Sequence, residues 1–211
     1  AEVTAVSTPT GDTTPNYTFS SNEAGTITYG GSCTSTADTS ANADNNTITF
    51  NTLSGGTYSN CTVTVTDSAN NASDALSVSS FIVDTTAPSL SQVTAVPTPT
   101  SDNTSNYTFS STEAGTITYG GSCSSADNTS VNGNNEITFN ELADNTYSNC
   151  TIRVTDNVSN TSSALSVSSF IIDTTGPTLS EVTVVPTPDN DSTPAYTFSS
   201  SEAGTITYGG D

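Results

Sequence analysis

Apolar residues in this chain alternate with threonine and serine over short stretches, the period-two pattern of half-buried strands. Tyr17 and Phe19 alternate with Thr18 and Ser20, Ile27 and Tyr29 with Thr26 and Thr28, and Ile48 and Phe50 with Thr47 and Thr49. Cys61, Val63 and Val65 then share one face, with Thr62, Thr64 and Thr66 on the other. The same inward set returns further along as Tyr107, Phe109, Ile117, Tyr119, Ile137, Phe139, Cys150, Ile152 and Val154, leaving Arg153 on the outward face. Adding Val3 and the apolar run 76–83 gives about seven strands separated by Gly, Asn, Asp and Pro turns, which predicts an antiparallel β-sandwich. The run 76–83 changes parity between Leu76 and Val78 on one side and Phe81 and Val83 on the other, and a bulge at Ser79 or Ser80 would reconcile them. Pro97 and Pro99, like Pro186 and Pro188, fall in or just after the first strand and predict an edge position for it, because proline cannot donate to a ladder.

Self-comparison divides the chain. The string EAGTITYGG occurs at residues 23–31, 113–121 and 202–210, spacings of 90 and 89 residues. NYTFSS at 16 and 106, and LSVSSF at 76 and 165, keep the same register. The repeats are 1–87, 88–176 and 177–211, with boundaries at TTAPSL and TTGPTL, where Pro88 and Pro177 stiffen the joint by fixing φ. A unit of this length is too long for a solenoid repeat and fits one small folding domain. The third copy covers only the region of the first three strands, so the chain is expected to be a segment of a longer array or to stop mid-domain. Anchors and targeting sequences are then expected outside it, since residue 1 starts on repeat pattern without a signal peptide.

Composition changes this picture in one respect. Low hydrophobicity with one-signed charge is a signature of disorder, and the chain has 31% hydrophobic residues with more than a third Ser and Thr, but its strict alternation argues for folded strands. Twenty-one acidic residues against one Arg, with no Lys and no His, give a formal charge of −20. That excludes a basic nucleic-acid surface and argues against attachment to anionic lipid headgroups. It also removes His- and Lys-based nucleophile activation, and no enzyme activity is expected. The nearest carboxylate pair in sequence, Asp189 and Asp191, reads as solvated turn residues. No apolar window reaches the ~18 residues of a membrane span. Eleven N-x-Ser/Thr strings make glycosylation conceivable, although a chain rich in Asn and Thr produces many by chance. The outward row Thr62, Thr64, Thr66 is ordinary strand chemistry rather than an ice-binding surface.

The four cysteines fall one pair per complete repeat, Cys33 with Cys61 and Cys123 with Cys150. A metal site would need further ligands, and no His or additional Cys supplies them. Disulfides within each repeat are the natural pairing, closing loops of 28 and 27 residues and stabilising each unit by roughly 3.5 kcal/mol on the chain-entropy model. Such bonds place the protein outside the cytosol.

LSGGTYSNC and LADNTYSNC put Leu53 and Tyr58, then Leu142 and Tyr147, just before the second cysteine of each pair. This resembles the tyrosine corner of immunoglobulin-type sandwiches, with a Tyr to Cys spacing one residue longer than in antibody domains. VTDSANNAS and VTDNVSNTS follow, and then IVDTTAP and IIDTTGP. Those strings resemble the bacterial immunoglobulin-like repeats of large secreted and surface-anchored adhesins, with their V-T-D-x-A-G-N-x-S turn and D-T-T-A-P linker. Here Asn70 or Ser159 stands where that family usually has Gly. The resemblance covers both complete repeats and implies tandem immunoglobulin-like domains in a bacterial, extracellular stalk that holds a distal tip away from the cell.

Loops of a sandwich alternate between its two poles, which predicts where acidic residues meet. Asp12 and Asp84 are expected at the exit pole of the first repeat, facing Glu113 and Asp156 of the second. The equivalents at the next junction are Asp102, Asp173 and Glu202. Converging carboxylates repel unless a hard cation lies between them, and Ca²⁺ with its 6–8 oxygen ligands suits such a place. The opposing expectation is that these acids are solvated turn residues making local hydrogen bonds.

Three functions follow from the sequence. The leading one is a structural stalk segment of an extracellular adhesin or surface fibre, its partners being other repeats of the same chain, neighbouring copies in a fibre and a receptor or surface the sequence does not name. The second is a filament subunit whose incomplete third repeat is completed by strands of the next molecule. The third is a glycan- or partner-binding module, against which most aromatics here have core parity.

Overall fold

The alternation is honoured by the ladders that form. A computed structural model describes residues 1–209, and within them every regular element is a strand. The first repeat contains β1 (Glu2–Thr4), β2 (Asn16–Ser21), β3 (Gly25–Gly30), β4 (Ser40–Ala41), β5 (Asp44–Thr49), β6 (Gly56–Tyr58), β7 (Thr62–Thr66), β8 (Leu76–Ser77) and β9 (Phe81–Val83). The second follows the same order with β10 (Leu90–Thr94), β11 (Asn106–Ser111), β12 (Gly115–Gly120), β13 (Thr129–Ser130), β14 (Gly133–Thr138), β15 (Asn145–Tyr147), β16 (Thr151–Thr155), β17 (Leu165–Ser166) and β18 (Phe170–Ile172). Each repeat forms antiparallel sheets in matching orders, β1-β2-β5, β4-β3-β7-β8 and β6-β9, then β10-β11-β14, β13-β12-β16-β17 and β15-β18. The fold is all-β and sandwich-type. β1 and β10 are edge strands, as the prolines that follow them require.

Register puts the apolar parity inward. Tyr17 opposes Ile48 across β2 and β5, and Ile27 and Tyr29 oppose Val65 and Val63 across β3 and β7. Their outward neighbours are hydroxyl pairs, including Thr18 with Thr47 at 2.9 Å between oxygens. Two separate cores result, one from Val6 to Val83 and one from Val96 to Ile172. Each is threaded by five rings: Tyr58, Phe81, Phe50, Tyr17 and Phe19 in the first, Tyr147, Phe170, Phe139, Tyr107 and Phe109 in the second. Stacked pairs of this kind contribute about 0.5–1.5 kcal/mol each beyond area burial. The phenols of Tyr58 and Tyr147 donate to the carbonyls of Ser54 and Ala143, both at 2.9 Å, locking the chain as it turns into the cysteine-bearing strand. Cys33 is bonded to Cys61 and Cys123 to Cys150, with Cα separations of 5.2 and 5.3 Å. Two such bonds fit an oxidising, non-cytoplasmic compartment. No helix is long and apolar enough to cross a membrane.

Two expectations are corrected. The run 76–83 is not one bulged strand: β8 belongs to the four-stranded sheet and β9 pairs with β6. The parity change between Val78 and Phe81 marks a crossing from one sheet to the other. Ser79 sits in the crossing and donates its N–H and hydroxyl to the Glu2 carboxylate at 2.9 and 2.7 Å, a contact that holds the Glu2 carboxyl below its usual range. In the second repeat Gln92 replaces Glu2, its Oε1 accepting the Ser168 N–H at 3.1 Å and its Nε2 donating to the Ser168 hydroxyl at 2.8 Å. The second correction concerns residues 177–211. Of three strands expected there, two form among the described residues, β19 (Leu179–Thr183) and β20 (Thr197–Ser200). Residues 204–209 repeat the β3 and β12 sequence without forming a strand, whereas β3 and β12 are paired with β7 and β16. Gly210 and Asp211, the last residues of the expected third unit, lie outside the described residues.

Candidate metal centre

The geometry of the first junction begins at the edge of the first repeat. Beyond β1 the chain passes Pro9, and Thr10 forms a parallel bridge with Val83 at the end of β9. The Thr10 N–H donates to Ile82 and the Asp84 N–H to Thr10, at 2.9 and 2.8 Å, so the loop after Thr10 and the exit at Asp84 are fixed at one pole. On the facing repeat Glu113 lies in the turn between β11 and β12. There the Ser111 hydroxyl donates to the Glu113 carbonyl at 2.6 Å and accepts the Glu113 N–H at 3.3 Å. Asp156 directly follows β16 and organises the next turn, its carboxylate accepting the N–H groups of Val158 and Asn160 and the Asn160 side-chain amide at 2.8–2.9 Å.

The two poles meet. Oxygens of Asp84, Glu113 and Asp156 all lie within 4.8 Å of one another, Asp156 being buried and the other two half-buried. The Asn160 amide, already bound to Asp156, also donates to the Asp84 carbonyl at 3.1 Å, so one side chain ties both repeats together. A second close approach occurs beside it, where a methyl built on Gly11 would lie 2.7 Å from the carbonyl oxygen of Val158. Partial burial, with the Asp84 and Asp156 carboxylates close by, pushes the Glu113 carboxyl above its ordinary value. The only Arg of the chain, Arg153, donates to the Ser162 carbonyl at 2.8 Å.

The remaining predicted ligands do not join. Asp12 stands outside the group because its Oδ1 accepts the N–H and hydroxyl of Thr14, at 2.8 and 3.2 Å, which caps its own loop. Among the described residues, no matching group forms from Asp102, Asp173 and Glu202. Asp102 caps Thr104 as Asp12 caps Thr14, and Asp173 accepts the Thr175 N–H at 3.3 Å. The second linker is fastened differently, by Asp144, whose carboxylate accepts the Thr174 N–H and the hydroxyls of Thr174 and Thr175 at 2.7–2.9 Å and is held below the usual range by them. Its matched position in the first repeat is Gly55.

Sequence reasoning missed Asn160, Gly11 and Asp144. Asn160 had a signal, since Asp followed four residues later by Asn recurs at Asp67 and Asn71. The other two had none, because Gly11 acts through an approach distance across the joint and Asp144 through hydrogen bonds to a linker 30 residues further on. At the turn positions where the resembled family has Gly, Asn70 and Ser159 adopt φ of 65° and 76°, the left-handed region that favours glycine. The chain matches no protein-family model and no curated protein sequence.

Proposed function

We propose that this chain is a stalk segment of an extracellular tandem-repeat protein of the bacterial surface, its units supplying reach and its joints supplying stiffness. The observation that carries the reading is the convergence of Asp84, Glu113 and Asp156 from two repeats on one point. Matching cores on either side, each closed by its own disulfide, support units that stand as beads in a row. The resemblance to adhesin repeats supplies the bacterial, cell-surface context.

The donors at the joint suit a calcium ion. All three are carboxylates, hard oxygen ligands of the type Ca²⁺ prefers, and each carboxylate has lone pairs beyond those its hydrogen bonds use. Asp84, Glu113 and Asp156 would hold the ion, which would supply positive charge where the chain itself brings only negative. Saturating calcium therefore raises the melting temperature of the two-repeat body, with about 2.7 kcal/mol of stabilisation at one hundred times Kd. Asp84→Asn combined with Glu113→Gln abolishes that response. Identical melting with calcium and with a chelator removes the metal from the reading.

A further inference from the structure

The first repeat has an open groove at the pole opposite its exit, of about 460 Å³, with Phe19, Val65 and Leu76 in its walls. The equivalent residues of the second repeat are Phe109, Val154 and Leu165. There the place is taken. Residues 87–90 run beside the 161–165 segment, Pro88 is buried, and Leu90 packs against the core. The same stretch extends the antiparallel ladder of β11, since Ser89 and Thr112 exchange two bonds at 2.9 and 3.1 Å and Leu90 opposes Ser111.

The consequence is legible residue by residue. Val154 is fully buried while its counterpart Val65 is only half-buried. Ser162 is 1% exposed while Ser73 is open to solvent. Ser111 and Asp156 are buried while Ser21 and Asp67 are not. These four differences lie on the face that the linker covers in the second repeat. The first repeat also keeps Glu23 and Asp67 at the positions of Glu113 and Asp156, so the half of the joint that receives an exit Asp is present there too.

We infer that this groove is the seat of an exit segment from another repeat of this same kind, an extended Asp-Thr-Thr-x-Pro-x-Leu strand. Its leucine fills the space beside Phe19, Val65 and Leu76, its proline lies against the 72–76 segment, and its aspartate reaches Glu23 and Asp67. The second repeat carries this inference, because the same pole made of the same residues holds such a segment there. The inference deepens the stalk reading and rests on it for the nature of the partner.

The test adds Asp-Thr-Thr-Ala-Pro-Ser-Leu, the sequence of residues 84–90, ahead of Ala1 in the full chain. A control carries serine in place of the added leucine. Methyl resonances of Val65 and Leu76 and hydrogen exchange at the Val65 amide report on the seat. The expected result is that the leucine version moves both methyls and slows exchange about tenfold or more, whereas the serine version does neither. Unmoved methyls, or leucine and serine versions that behave alike, would overturn the inference. Dimensions in solution separate the two claims. An elongated chain whose seat stays empty sinks the docking surface and spares the stalk, and a collapsed chain whose seat fills does the reverse.

Discussion

Asn70 and Ser159 show what a single residue contributes to these turns. Both occupy left-handed backbone without being glycine, and both sit inside loops held by an aspartate, Asp67 or Asp156, that accepts hydrogen bonds from residues two and four positions on. Asn tolerates this region better than Ser, so Ser159→Gly should stabilise the second repeat by about 1 kcal/mol and Asn70→Gly the first by less. Denaturant midpoints with unchanged slopes would check both. Glu113 gives a pH signature. A carboxyl held above its ordinary range binds its proton more tightly in the folded chain. Its ionisation therefore costs stability as pH rises from about 4.3 through the raised value, and nothing below that. Glu113→Gln should consequently stabilise the joint at neutral pH by an amount that shrinks to zero in acid, as read from melting at a series of pH values without divalent ions. Glu2, Asp67 and Asp144, all lowered, act in the opposite sense, giving stability at neutral pH that is lost on acidification. The comparison must therefore be made between variant and parent at each pH.

At the scale of elements, the strands whose inward residues are consecutive in parity were legible from the sequence. β2, β3, β5 and β7 and their second-repeat counterparts β11, β12, β14 and β16 bury the residues the alternation selects. What escaped was the departure of the chain from one sheet to another between β8 and β9, because a parity change looks the same for a bulge and for a crossing. The short β4 and β13 were equally hidden, since two paired residues carry no period. The cysteine pairing was legible because the pairs recur at matched positions. Its energetic role is open to measurement: Cys33→Ala with Cys61→Ala should lower the stability of the first repeat by roughly 3.5 kcal/mol, with the second repeat unaffected. Equal losses in both repeats would mean that they unfold as one cooperative body.

The whole molecule is governed by its joints, and the two differ in chemistry. All three carboxylates that converge at the first joint were readable from pole alternation, namely Asp84 facing Glu113 and Asp156. Asp12, Asp102 and Asp173 do not join them among the described residues, because a turn aspartate satisfied by its own loop looks, in sequence, like one that points across a gap. At the first joint Gly11 lies against the Val158 carbonyl. At the matched position of the second repeat stands Ser101, whose side chain would not fit that approach. Gly11→Ser should therefore loosen the first joint while leaving the melting of either repeat within about 0.5 kcal/mol of the parent. Interdomain relaxation in NMR would read that loosening. A net charge of −20 with no lysine and no histidine adds a general tendency to extend. Small-angle scattering of the chain, first with calcium and then with a chelator, tests the central claim most directly. A rod-like profile whose maximum dimension and sharpness increase with calcium is the predicted result. Profiles that coincide in both conditions, or a compact particle in either, would contradict it.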